Sequence, residues 1–262
     1  MSLLGMGLTP VMAGDTEQQE LIVFAAASMT ETLEELKEVY EASHSDITLT
    51  YNFDSSGTLK TQIQEGADCD IFISAGQKQM DQLDKNASAE VNTEGLDYVL
   101  EDTRVDLLEN KVSLCVSETS KFEIKNFDEL AEALKNEEIL FAMGNSDVPV
   151  GQYTQKILKH YELDEEALAS EGKITYGTNV KEVTTQISEG SVDCGVVYGT
   201  DAYSAGLTPV DYGTEKMCGR VIYPAAVLNT THAEKEAEEF LTYLRSDEAM
   251  NIFESVGFAR GE

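Results

Sequence analysis

The chain has 262 residues, 42% of them hydrophobic, which is enough to bury a sizeable core and excludes an intrinsically disordered protein. Acidic residues outnumber Lys and Arg by 49 to 18, for a formal net charge of -31, so nucleic-acid backbones and anionic membrane faces are repelled and excluded as partners. An anionic ligand meets the same long-range repulsion, and a site for one must rest on local fixed dipoles; screening over about 8–10 Å at physiological salt permits this.

In chain order, residues 3–14 form a short apolar stretch ending Val11-Met12-Ala13-Gly14. It has the form of a signal-peptide tail with a small-residue cleavage site and is too short to span a bilayer. The alternative is an unstructured leader. Export predicts an extracytoplasmic protein, in the periplasm or on the outer face of the cell membrane.

Beyond the leader, short β-branched or aromatic runs alternate with helical periods. Leu21-Ile22-Val23-Phe24 is a strand, followed by Leu33, Leu36, Val39 and Tyr40 at helical spacing. Ile47-Thr48-Leu49-Thr50-Tyr51 precedes a helix carrying Leu59 and Ile63, and residues 70–74 read as a buried strand. Such alternation predicts a largely parallel sheet.

After a polar stretch over residues 90–106, Val112-Ser113-Leu114-Cys115-Val116 restarts the cycle. A helix over 127–134, a strand over 139–142 and a helix after Pro149 follow. Then come Ile174-Thr175-Tyr176, a helix with Val183 and Ile187, and a strand over 195–198. Residues 221–228 lead into a last helix with Phe240, Leu241 and Leu244, expected to pack back on the first lobe. The fold class is therefore α/β. Residues 1–16 are the leader, 17–112 plus 221–262 a discontinuous first lobe, and 113–220 the second. Two crossings, near residues 112 and 221, make a hinge.

Four segments share one grammar: a strand, a short loop of small or hydroxyl residues, and the first turn of a helix. They are Ala26-Ala27-Ser28-Met29-Thr30, Asp54-Ser55-Ser56-Gly57-Thr58, Val148-Pro149-Val150-Gly151-Gln152 and Gly177-Thr178-Asn179-Val180-Lys181. Two fall in each lobe. Helix N-termini expose unpaired N–H groups and carry about half a positive charge, so four of them converging on a cleft make a donor-only cage for an anion. Taken singly, each loop is better explained by ordinary N-capping. Ser28 and Ser56 add hydroxyl donors, and Tyr198 is placed to offer a phenolic O–H or else to sit in the core. Lys181 is expected to face solvent.

The segments Val23-Phe24-Ala25-Ala26-Ala27-Ser28-Met29-Thr30, Ser55-Ser56-Gly57-Thr58-Leu59, Asp70-Ile71-Phe72-Ile73-Ser74-Ala75, Val197-Tyr198-Gly199-Thr200-Asp201-Ala202 and Tyr223-Pro224-Ala225 together resemble the bacterial molybdate-binding proteins of molybdate ABC transporters. The resemblance runs from about residue 21 to residue 258. It implies the type II periplasmic-binding-protein fold, two Rossmann-like lobes joined by two crossover strands with the ligand between them. It also implies an oxyanion site at the Ser28 and Ser56 hydroxyls, the amides of Val150 and Val180, and Tyr198, holding molybdate or tungstate, and molybdenum only in that form. The implied partner is the membrane permease of an ABC importer, with a monomeric binding protein and no cofactor. Asp54 departs from the small or neutral residue frequent in that family; its like charge is expected to point away from the ligand.

An enzyme would need a nucleophile with a base. The chain has neither G-x-S-x-G nor H-E-x-x-H, and its three histidines, His44, His160 and His232, stand in polar surroundings. A hydrolase or transferase using a cleft serine is the alternative outside the binding class. Sulfate or another tetrahedral oxyanion is the alternative within it, and a sensor domain with the same clasp is a third. Cys69, Cys115, Cys194 and Cys218 form no C-x-x-C unit, and free, buried thiols are expected.

Overall fold

The computed structural model describes residues 18–261, so the leader expected over residues 1–16 lies outside the described residues. The first passage of the chain runs through Gln19–Ala26 (β1), a single 3-10 turn at Ala27–Met29, Thr30–Ser43 (α1), Ile47–Asp54 (β2), Ser56–Gln64 (α2), Ile71–Ile73 (β3), Gln77–Asp81 (α3) and Val105–Asn110 (β4). The second runs through Val112–Val116 (β5), Phe127–Asn136 (α4), Phe141–Gly144 (β6), Pro149–His160 (α5), Glu165–Ser170 (α6), Ile174–Gly177 (β7), Val180–Ser188 (α7), Cys194–Tyr198 (β8), Gly199–Ser204 (α8), Pro209–Tyr212 (β9) and Glu215–Cys218 (α9). The return consists of Val221–Val227 (β10), Glu234–Leu244 (α10), Asp247–Ser255 (α11) and Ala259–Arg260 (β11).

Two mixed sheets result, in the orders β11-β4-β10-β3-β1-β2 and β7-β6-β8-β5-β9. In each, three neighbouring strands are parallel: β3, β1 and β2 in one, β8, β6 and β7 in the other. The remaining pairings are antiparallel, which corrects the expectation of largely parallel sheets. The reason is the crossings: β5 and β10 enter their sheets from the other lobe and run against the parallel strands. Val112, placed by the sequence at the end of the first lobe, pairs with Tyr198 in the second sheet.

Local signals account for most elements. In α4, Phe127, Leu130 and Leu134 lie on one buried face, Asn126 accepts from the Glu129 amide as N-cap, and acids lead while Lys135 ends the helix. Burying each such side chain contributes about 1.5–3 kcal/mol. Tyr40 of α1 meets Phe240 of α10 edge to face at 4.8 Å, so the last long helix packs on the first lobe as expected. Other elements were hidden. Asp106 and Glu109 interrupt the apolar pattern of β4, and the strand expected over 139–142 sits two residues later because Leu140 bonds through its amide to the Asp193 carboxylate instead of a ladder partner. All four cysteines are free and buried.

Candidate functional site

The carboxyl ends of β1, β2 and β3 face those of β6, β7 and β8 across the interlobe cleft, where open α/β sheets present their loops. There a small cavity is lined by Ala26, Ala27, Ser28, Asp54, Ser55, Ser56, Ala75, Val148, Pro149, Val150, Val180 and Tyr198. All four strand–loop–helix segments and Tyr198 therefore meet at one place. The room left is small, about that of one water molecule.

The first lobe contributes hydroxyls. Ser28 lies in the 3-10 turn after β1 and is buried. Its Oγ is 2.9 Å from the Tyr223 Oη, which accepts a hydrogen bond of 3.1 Å from Asn110 Nδ2. The Asn110 amide orientation is fixed, because its Oδ1 accepts from the Lys111 amide at 2.8 Å. The Tyr223 oxygen, held by Asn110, ties the Ser28 hydroxyl to this pair, and either of the two hydroxyls can be the donor. Ser56 is fully buried at the start of α2, and its Oγ accepts from the Ala75 amide at 2.9 Å. A hydroxyl oxygen already accepting retains its hydrogen for donation.

The second lobe contributes helix starts. Pro149 occupies the opening of α5, which has no side-chain cap, and Val150 follows it. In α7, Asn179 caps the Glu182 amide, leaving the amides of Val180 and Lys181 among the first-turn groups without an intrahelical partner. Each first turn is braced by a buried threonine four residues on: Thr154 donates to the Val150 carbonyl at 2.7 Å and Thr184 to that of Val180 at 2.9 Å.

Tyr198 ends β8 and reaches across the cleft to donate to the Ala75 carbonyl at 3.3 Å. Burial, reinforced by Tyr223, Tyr153 and Asp201, holds its phenol well above the ordinary value. Tyr223 is raised in the same direction, first by burial and then by Asp201, so both phenols remain protonated donors. The lobes also touch where α2 meets the loop before α5: a Cβ on Gly57 would lie 2.2 Å from the Asp147 carbonyl oxygen.

Asp54 is among the residues lining the cavity, and its Oδ1 accepts from the Ser55 amide at 2.7 Å. One expectation needs correction. Lys181 is not a free solvent-facing cation, because its Nζ bonds both carboxylate oxygens of Glu31 in the other lobe at 2.7 Å. Sequence reasoning gave no role to Asn110 or Tyr223. The motif Tyr223-Pro224-Ala225 was visible, but its link to Ser28 spans 195 residues and has no local signature. His160 and His232 are exposed, while His44 is half-buried and stacks on Tyr40 at 4.0 Å; none borders the cavity. Among the described residues, no cluster of His, Cys, Asp or Glu suits a metal ion.

Residues 21–259 match the family model described as bacterial extracellular solute-binding protein. A Bacillus subtilis chain provisionally named an ABC transporter substrate-binding lipoprotein, YvgL, is 35% identical over 93% of this chain and 88% of its own length. The molybdate-binding protein ModA of Haemophilus influenzae is 28% identical over 92% of this chain and 90% of its own. Among solved structures, the substrate-binding domain of a provisionally assigned molybdenum ABC transporter from Clostridium difficile superposes with a TM-score of 0.66 at 31% identity, covering 93% of this chain and 99% of that one. The two-sheet architecture is the type II periplasmic-binding-protein fold.

Proposed function

The chain belongs to the family of bacterial extracellular solute-binding proteins, and from that premise we propose that it captures molybdate or tungstate outside the cytoplasm and delivers it to the membrane permease of an ABC importer. The observation that carries the reading is the convergence of Ser28, Ser56, Val150, Val180 and Tyr198 on one small cavity between the lobes. Side-chain hydroxyls on one wall and helix-start amides on the other are donors without full positive charge. They suit a small dianion and offset the overall charge of -31 only at short range.

The chemistry ranks the candidate anions. Molybdate, tungstate and sulfate near neutral pH are acceptor-only dianions, whereas phosphate keeps a proton and wants an acceptor. Sulfate has shorter bonds and would leave donors in a molybdate-sized cage unsatisfied, which is costly for buried groups. Asp54 is the one carboxylate on the cavity wall, which makes phosphate the informative control. The relative named ModA supports molybdate over sulfate.

In the proposed cycle the open first lobe receives the anion at Ser28 and Ser56, and rotation about the crossings at Lys111 and residues 219–220 brings Val150, Val180 and Tyr198 onto it. Tyr198 then turns its hydrogen from the Ala75 carbonyl to the ligand. All five groups belong to one chain, so a monomer is sufficient, and transport needs no cofactor or covalent step.

Calorimetric titration of dialysed protein with molybdate, tungstate, sulfate and phosphate in separate runs tests the reading. The expected result is one-to-one binding of molybdate or tungstate, much tighter than sulfate or phosphate. Heat from sulfate or phosphate alone would keep the clasp and overturn the named ligand.

A further inference from the structure

Behind the cavity stands a group of charges that oxyanion binding as described does not use. Lys181 on α7 bonds Glu31 on α1 across the cleft, and its Nζ lies 3.7 Å from Asp201 Oδ1 on α8. Each follows a cavity residue closely in sequence: Glu31 after Ser28, Lys181 after Val180 and Asp201 after Tyr198. The Asp201 side chain is completely buried, Lys181 is 32% exposed and Glu31 52%. Neither Asp201 oxygen has a hydrogen-bond partner, an expensive state for an ionised carboxylate.

We propose that Lys181 and Glu31 form an ionic latch across the cleft that holds the closed form over its anion, and that Asp201, buried beside Lys181, takes up a proton on closure. This rests on the oxyanion reading above. The Lys181–Glu31 pair is one that separating the lobes would break, so it acts on release rather than on first encounter. Lys181 and Glu31 are positioning residues: through α7 and α1 they hold the Val180 amide and the Ser28 turn in register.

The proton follows from the surroundings of Asp201. The groups acting on it are Lys181 from α7, Glu31 from α1, Tyr198 from β8, Tyr223 from β10 and Cys115 from β5. Lys181 favours the anion, as does Asp201's own backbone amide. Burial first, then Glu31, outweighs both and pushes the carboxyl up to about 7. Glu31 and the Tyr223 wall belong to the first lobe, and opening withdraws them, returning the carboxyl toward its ordinary range. The closed form therefore binds more protons than the open form between that range and about pH 7, and affinity rises as pH falls through this window. A dianion in the adjoining cavity opposes the Asp201 charge further.

Titration of the full chain with molybdate, tungstate, sulfate and phosphate at pH 7, in two buffers of different ionisation enthalpy, reads affinity and proton uptake together. Wild type is expected to take up a fraction of a proton per anion bound, and Asp201→Asn none. Lys181→Met should weaken binding roughly tenfold, with the change in dissociation and not in association by stopped flow. The double variant Glu31→Gln/Lys181→Met should be no weaker than Lys181→Met alone, and ligand-free melting temperatures should stay near wild type. Wild-type release by Lys181→Met, or binding that moves no proton, overturns the latch and leaves the oxyanion reading standing. A wild type that binds none of the four anions overturns both.

Discussion

The two walls of the cleft reach the same chemistry by different means. On the first lobe the proposed donors are side-chain hydroxyls, Ser56 with its oxygen accepting from the Ala75 amide and Ser28 bonded to Tyr223, which itself accepts from Asn110. On the second lobe the proposed donors are main-chain amides at the starts of α5 and α7, set by Pro149 and by the Asn179 cap. A hydroxyl is removed by a single substitution. An amide is indifferent to its own side chain and yields only to proline. The first wall is thus exposed to mutation and the second largely protected from it.

The largest effect on this contrast should come from emptying the hydroxyl wall. Ser28→Ala/Ser56→Ala deletes two charge-assisted hydrogen bonds of about 1.5–3 kcal/mol each, a loss of roughly two to four decades in affinity. Wild-type affinity for molybdate or tungstate in the double variant would remove these serines from the site. On the amide wall the matching deletion is Val180→Pro. Val180 is the first residue of α7 and Asn179 before it is extended, with φ -151° and ψ 172°, so proline fits the helix start while removing the N–H. Calorimetry should show a loss of about one to two decades. Val180→Ala keeps the amide and should lower the melting temperature while leaving affinity near wild type.

Gly57→Ala sharpens the comparison by touching neither set of donors. The added Cβ would overlap the Asp147 carbonyl, which belongs to the other lobe, so the strain arises only on closure. At about 1–3 kcal/mol for such overpacking, affinity should fall by about one decade. The melting temperature of the ligand-free protein should not fall, and small-angle scattering should show less compaction on adding ligand.

The same asymmetry explains what could be read in the sequence. Strand, loop and helix start recur with local signatures, so the four segments and the α/β class were legible from Ser28, Ser56, Pro149 and Asn179. Tyr198 was visible as a strand end. The support for these groups was not, because it spans the fold: Tyr223 meets Ser28 across 195 residues and Lys181 meets Glu31 across 150. Asp54 is governed by a local bond instead: the next amide in the chain, that of Ser55, holds one of its carboxylate oxygens. Antiparallel β4 escaped because its two acidic residues break the apolar run that marks a strand.

The smallest predicted change isolates that hidden support. Tyr223→Phe keeps the ring that packs on Tyr198 and Phe258 but breaks the chain from Asn110 to Ser28, leaving the Asn110 donor with Thr200 as its remaining partner at 2.9 Å. Ser28 is still present but no longer oriented, so the cost is that of one neutral hydrogen bond, about 1 kcal/mol, or roughly fivefold in affinity. Because burial raises both phenols, their neutral donor forms persist as pH rises, and the hydroxyl relay contributes no pH dependence around neutrality. Tyr223→Phe should therefore lower affinity by the same factor at pH 6 and pH 8, whereas Asp201→Asn should flatten the pH profile. A Tyr223→Phe penalty that changes between those two pH values would mean that the relay and the Asp201 charge are one coupled network.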